Sequence, residues 1–350
     1  MAKLLITNAL FVKLQRGIAA IPAATRSRNC QCFLCFQALS CLSMRPSPNV
    51  HFDEFQSAAA PQAAFGPHVE PMTKPPPSLQ DLRREIDSID EQVHSLLMQR
   101  GDIIDRLISV KKTQEVGSAF RPAREADMMR RLVQRHRGML PLDTVESIWR
   151  VIISTFTYVQ APFSVHADLS VGESAMRDSA RFHFGFTVPF IPHFNADAAV
   201  EAVAKSKGDL ALISAVSSRS PWWIALEPAA APKIIARLPF VERADHPAAL
   251  PVFVVSRVAA DAMVTEVEMW SVRVSGWSAD VARALSPFSE IIAVPDTASD
   301  GAALLISVPG PGGLTKITTA LVAAGASVRS SALVGSHATR YTVPPTTASK

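Results

Sequence analysis

Residues 82–110 carry an apolar stripe that only a packed helix satisfies. Leu82, Ile86, Ile89, Val93 and Leu96 are followed by Ile103, Leu107 and Val110. Steps of four and three alternate, which is the spacing of a seam between helices. The position between Leu96 and Ile103 should be apolar too, and it holds Arg100. An unpaired guanidinium in a seam is costly. Arg100 therefore snorkels to solvent, pairs with an acid such as Asp90 or Glu125, or faces a pocket whose ligand supplies the negative charge.

The stripe belongs to the first of three predicted helices. Ser78 is a candidate N-cap, with Asp81 at the acid position of a capping box. A helix from Ser78 to about Thr113 spans about 50 Å, long enough to need a partner along its length. Gly117 marks its end. "RPAREADMMRRLVQRH" gives the second helix, with Pro122 in its first turn and Gly138 after it. "LPLDTVESIWRVIISTFTYVQ" gives the third, with Val145, Trp149, Ile152, Phe156 and Val159 on one face and Pro162 as its stop.

Helical geometry brings a second cation to Arg100. Lys111 is eleven residues on, so the two lie within about 20° of each other, three turns apart. Arg83 lies about 100° around and about 25 Å away. It cannot share their pocket on one straight helix, but it reaches the equivalent pocket of an antiparallel second copy. Arg124 and Glu125 occupy the first turn of the second helix, and Gln160 ends the apolar face of the third. Two or three cations and an amide converging among apolar helices suit a small dicarboxylate. Arg84, Arg106, Arg130, Arg131, Arg135 and Arg137 are read as solvated surface.

The flanks are less specific. Residues 1–77 are read as a disordered leader and linker, rich in Pro, Ala and Gln towards its end, with Met72 as an alternative start. The first 40 residues are basic and free of acids, and resemble a transit peptide or signal sequence; a non-native extension is the other reading. Cys30, Cys32, Cys35 and Cys41 lack the second pair of a zinc site, so no metal is expected there. Residues 163–345 alternate helical stretches with β-like runs ("DLALIS", "PVFVVSRV", "MWSVRVS", "AALLISV", "ASVRSSALV"), which predicts an α/β or α+β domain. The last fifteen residues are expected to fray. Trp222 and Trp223 are expected to pack a core.

The net charge of +4 is not gathered into one basic run, which argues against a nucleic-acid partner. No run of 18 apolar residues occurs, so no membrane-spanning helix is expected, and the chain is read as cytoplasmic.

"LRREIDSIDEQVHSLLMQRGDIIDRLISVKK", "RPAREADMMRRL" and "RVIISTFTYVQ", in this order, resemble the all-helical chorismate mutase domain over residues 78–162. The resemblance implies three helices in an intertwined homodimer, chorismate as substrate, prephenate as product and no cofactor. It implies that Arg83 reaches the partner subunit's site and that Arg100 and Lys111 hold a substrate carboxylate and the ether oxygen. Arg124 would clamp a carboxylate, Glu125 would contact the substrate hydroxyl, and Gln160 would donate to the ether oxygen. Lys111, Gln160 and Arg100 are the implied catalytic groups. Two positions depart from the pattern: Arg121 stands where an aspartate is common, and Phe156, beside Thr155, where a small hydroxyl residue is common. A lyase acting on isochorismate, and a non-catalytic helical dimer fused to an aromatic amino-acid sensor, stay open as alternatives.

Residues 163–345 resemble a degenerate prephenate dehydratase. The dehydratase T-R-F motif falls on Pro251, Val252 and Phe253, and the P-I-E-N-type loop on "SAVSSR". Neither hydroxyl nor arginine stands at the motif, so no dehydratase activity is expected. "LLISVPGPGGLTKITTALVAAGASVRSSALV" resembles an ACT-type amino-acid-sensing unit, although its Gly-rich turn reads first as an entry into a helix.

Overall fold

The computed structural model describes residues 76–111, 119–257, 266–287 and 289–343. The four cysteines, Met72, Thr113 and Gly117 lie outside the described residues, as do the expectations placed on them.

Three helices come first: α1 (Leu79–Lys111), α2 (Pro122–Arg135) and α3 (Leu142–Gln160). The capping box at α1 is reciprocal. Asp81 N–H donates to Ser78 Oγ at 3.2 Å, and Ser78 N–H donates to Asp81 Oδ2 at 3.0 Å. Two orphan backbone donors are thereby satisfied. Pro122 opens α2, where its missing N–H costs nothing. The chain then turns through Gly138, whose φ of 99° suits a residue without a side chain.

The α/β portion follows as β1 (Val165–Asp168), α4 (Glu173–Phe184), β2 (Phe190–His193), α5 (Ala196–Lys205), β3 (Leu210–Ser214), a 3-10 turn at Trp222–Leu226, β4 (Lys233–Leu238), β5 (Val241–Glu242) and β6 (Val252–Ser256). Then come β7 (Val267–Ser275), α6 (Ala279–Leu285), β8 (Glu290–Pro295), β9 (Ala302–Pro309), α7 (Gly313–Ala323), β10 (Ser327–His337) and β11 (Tyr341–Thr342). Nine strands form one sheet in the order β2-β1-β3-β6-β4-β10-β7-β9-β8. β1 pairs in parallel with both β2 and β3, whereas β6 runs antiparallel to β3 and to β4. The other end, β7-α6-β8-β9-α7-β10, is a split β-α-β arrangement, with strand order β10-β7-β9-β8. The two ends meet where β10 pairs with β4 at Gly335 and Ile234.

The five β-like runs correspond to β3, β6, β7, β9 and β10, and the Gly-rich turn leads into α7. Trp222 and Trp223 are buried in the core. Two expectations need correction. Residues 336–343 are not frayed: β10 extends to His337, and Tyr341 N–H donates to Phe240 O at 2.8 Å as β11 joins β5. The buried face of α3 also shares only Val145 with the predicted stripe, with Trp149 packed partly against the same core. It consists of Val145, Glu146, Arg150, Ile153, Ser154 and Thr157. Phe156 is only half-buried and Val159 is exposed, on the opposite side of α3.

That rotated face explains how the helices are held. One hydrophobic cluster joins Phe120, Met129, Val145 and Ile153 to Phe184 and Phe240. The core does not stop at residue 162; α2 and α3 bury one side against the α/β portion. α1 differs. Its stripe residues Ile86, Ile89 and Val93 are 57%, 52% and 51% exposed in the single chain.

Candidate active site

The packing of α1 on α3 puts Arg100 against Phe156. Its guanidinium carbon lies 4.4 Å from the centre of the Phe156 ring, a cation–π contact. Phe156, one of the departures from the family pattern, thus forms the floor under Arg100. Burial pushes the Arg100 pKa down, and the charge of Arg124 pushes it the same way. Arg100 Nη1 is buried without a hydrogen-bond partner, and among the described residues no acid pairs with it. The structure therefore brings Arg100 and Arg124 within electrostatic reach of each other, from α1 and α2. Gln160 ends α3 on the same side as Phe156, half-buried, and its Nε2 donates to Phe156 O at 2.9 Å. Two neighbouring cations repel each other, and a bound dianion removes that cost.

Lys111 is the last residue of α1, with helical backbone; its side chain lies outside the described residues. Arg83 is exposed near the start of α1. Seventeen residues separate it from Arg100 along one continuous helix, so it stays remote from Arg100 of the same chain.

Glu125 is not gathered with the cations. It is 4% exposed, and its Oε2 accepts from Arg150 Nη1 at 2.7 Å. Burial raises its pKa and the adjacent Arg150 opposes that rise. Arg150 Nη2 also donates to His183 O at 3.0 Å, in α4. One turn earlier, Glu146 accepts from Arg243 Nη1 at 2.6 Å and faces His246 Nε2 at 3.1 Å. Ala248 N–H donates to His246 Nδ1, so the ring proton sits on Nε2 and is donated to Glu146. These buried pairs are masked in the sequence because Glu146 and Arg150 are four apart with opposite signs, the spacing of a solvated helix bridge. The available signal was their position beside Val145 and Trp149, on a face too apolar for two exposed charges.

Residues 82–161 match the family model described as chorismate mutase type II. Curated relatives carry the same name in fused form. The chain is 30% identical over 131 residues to the bifunctional chorismate mutase/prephenate dehydratase of Pseudomonas aeruginosa, covering 36% of this chain and 35% of that protein. It is 30% identical over 103 residues to the enzyme of that name from Neisseria gonorrhoeae, covering 29% and 27%. For that of Aquifex aeolicus the identity is 27% over 118 residues, covering 33% and 32%. The chain thus spans about a third of the length of the curated relatives it matches. Among solved structures, prephenate dehydratase from Streptococcus mutans overlaps at 12% identity and a TM-score of 0.33, covering 52% of this chain and all of that one. A protein titled GqqA, a novel type of quorum quenching acylase, overlaps at 14% identity and the same TM-score of 0.33, covering 49% and 93%.

The chorismate mutase match runs from α1 to the end of α3, and all six expected site residues fall within it. At the dehydratase-like position, Val252 and Phe253 are buried in β6 and Pro251 precedes it.

Proposed function

We propose that the helical portion is a chorismate mutase, rearranging chorismate to prephenate in aromatic amino-acid biosynthesis. The observation that carries this reading is Arg100, half-buried against Phe156, beside Arg124 and without an acid partner. The reaction is a unimolecular pericyclic rearrangement and needs no nucleophile. What it needs is a compact diaxial conformer of a dianion and stabilisation of negative charge growing on the breaking ether oxygen. Arg100 and Arg124 clamp carboxylates. Lys111 and Gln160 donate to the ether oxygen, once the Gln160 amide exchanges Phe156 O for substrate. Glu125, held by Arg150, positions the first turn of α2 and so the adjacent Arg124.

The working form in this reading is a homodimer in the cytoplasm. The exposed stripe of α1 supports a second copy as its partner, since a row of large apolar residues along a 33-residue helix is left to water in one chain. In such a pair Arg83 completes the other subunit's site. No helix of the described residues is long and apolar enough to cross a membrane.

The test is chorismate consumption by the full chain with product identification. Prephenate should form, and Lys111→Ala and Gln160→Ala should each lower kcat/KM by about 100- to 1,000-fold. Val93→Lys, in the α1 stripe, should convert the dimer to monomer in sedimentation and cost activity with it. Pyruvate and salicylate from isochorismate would replace this reading with a lyase. No turnover of either substrate would leave a non-catalytic helical dimer.

A further inference from the structure

A cavity of about 240 Å³ opens on one face of the nine-stranded sheet, where its two ends meet. Arg237 and Ser307 line it among Phe253, Met269, Ile292 and Leu305, with Glu290 and Val216 exposed at its mouth. Arg237 comes from β4 and its side chain is only 9% exposed. Its Nη1 pairs with Glu290 of β8, a carboxylate whose side chain is 61% exposed. Arg237 Nε is buried with no hydrogen-bond partner. The guanidinium offers five donors, and its ion-pair partner is anchored mostly in solvent.

The surroundings fix the sign and the shape of what fits. Glu290 is shared: Arg340 lies 3.8 Å from its other oxygen and also holds Glu242 at 2.7 Å. When Glu290 lets go of Arg237 it keeps Arg340, so the exchange leaves no acid stranded. A ligand carboxylate then takes the Arg237 fork, the geometry arginine favours. Ser307 Oγ now reaches only the weak acceptor Met269 Sδ, at 3.2 Å, and can redirect its proton. An ammonium on the ligand meets the Arg237 guanidinium and an acid already held by Arg237 and Arg340, which disfavours an amine or a zwitterion. The remaining wall is aromatic and aliphatic. A cavity of about 150 Å³ holds a benzene ring, so this one has room for a ring or branched chain with a short carboxylate arm.

We propose that this cavity is a binding site for a small apolar monocarboxylate, held by Arg237 in exchange for Glu290. The site is built from the segment just after β3 and from β4, β6 and β7–β9, outside the helical portion, and stands apart from the mutase reading.

Phenylacetate is the probe, titrated calorimetrically into the full chain, with benzoate, phenethylamine and L-phenylalanine as comparators. Phenylacetate should bind saturably, one per chain. Arg237→Gln should weaken it by about tenfold or more. Val216→Trp, at an exposed mouth position, should weaken it with an unchanged circular dichroism spectrum, so the test survives if the arginine variant folds poorly. Glu290→Gln should tighten it, because the competing carboxylate is gone; a merely structural Glu290 would not give that sign. No saturable binding of either acid, binding indifferent to Arg237→Gln and Val216→Trp, or binding of phenethylamine or L-phenylalanine as tight as phenylacetate would each overturn the proposal.

Discussion

Glu146 is 1% exposed and holds two partners from a distant part of the chain, Arg243 and His246. Its value lies less in the pair itself than in what its loss strands. A lone Arg243 keeps only Asp143 at 3.5 Å and Asp245 at 3.7 Å. Glu146→Ala should therefore destabilise the protein by about 3–5 kcal/mol, read as a lowered urea midpoint with an unchanged slope. A second residue sets a pH dependence. The pKa of His337 is lowered to about 4, chiefly by burial, while the Nδ1 proton bonded to Ala338 O opposes the shift. In the unfolded chain the same ring takes its proton near 6.5. Between these values the unfolded state binds more protons, so stability rises with pH across the window and is lost as pH falls from 6.5 towards 4. The loss amounts to about 3 kcal/mol. His183, pushed down by burial and then by Arg150 and His246, acts in the same direction. His337→Gln should flatten the stability difference between pH 7 and pH 5 without abolishing it, checked by urea denaturation at both. At this scale the sequence displayed Arg100, because a charge interrupted an apolar period. It hid Glu146 and Arg150, because their partners, Arg243, His246 and the His183 carbonyl, are remote in sequence.

Elements with a strong period or a cap were readable, and those without were not. The start of α1 was written in Ser78 and Asp81, and the partly alternating β7 and the apolar run of β9 stood out. β2 did not, because its four residues include Pro192, tolerable only where an edge strand needs no donor. The face of α3 is blurred in the sequence for another reason: the helix is contacted on two sides, by α1 at Phe156 and by the α/β portion along Val145 to Thr157. A single stripe reports one partner, so a helix with two gives a blurred pattern. The join between β4 and β10 is specified by an absence of side chain. A Cβ on Gly335 would sit 2.1 Å from Ile234 O, so only glycine lets the two strands approach.

The whole chain is less modular than its sequence suggested. Composition changes near residue 162, and a boundary there is the natural reading, yet the cluster containing Met129 and Ile153 is completed by Phe184, Leu238 and Val252. A chain ending at residue 162 exposes that face, strands Glu146 without Arg243 and His246, and takes the His183 carbonyl from Arg150, although the Glu125–Arg150 pair is kept. Such a truncation should show α2 and α3 only loosely formed, with weak near-ultraviolet circular dichroism, dye binding and no cooperative melt, whereas the full chain melts cooperatively. Long-range closure of this kind leaves no local mark in sequence, because each half shows only ordinary apolar positions.

The shared core also sets a timetable. During synthesis α1–α3 leave the ribosome well before β6, the last strand to add fully buried residues to their cluster. At ordinary elongation rates the delay is on the order of ten seconds. For that interval the nascent chain shows two apolar surfaces, the stripe of α1 and the unfilled side of α2 and α3. In the proposed homodimer, only the first is covered by another copy. The second stays unfilled until β6 arrives, which makes that interval the one in which wrong association of the nascent chain costs most.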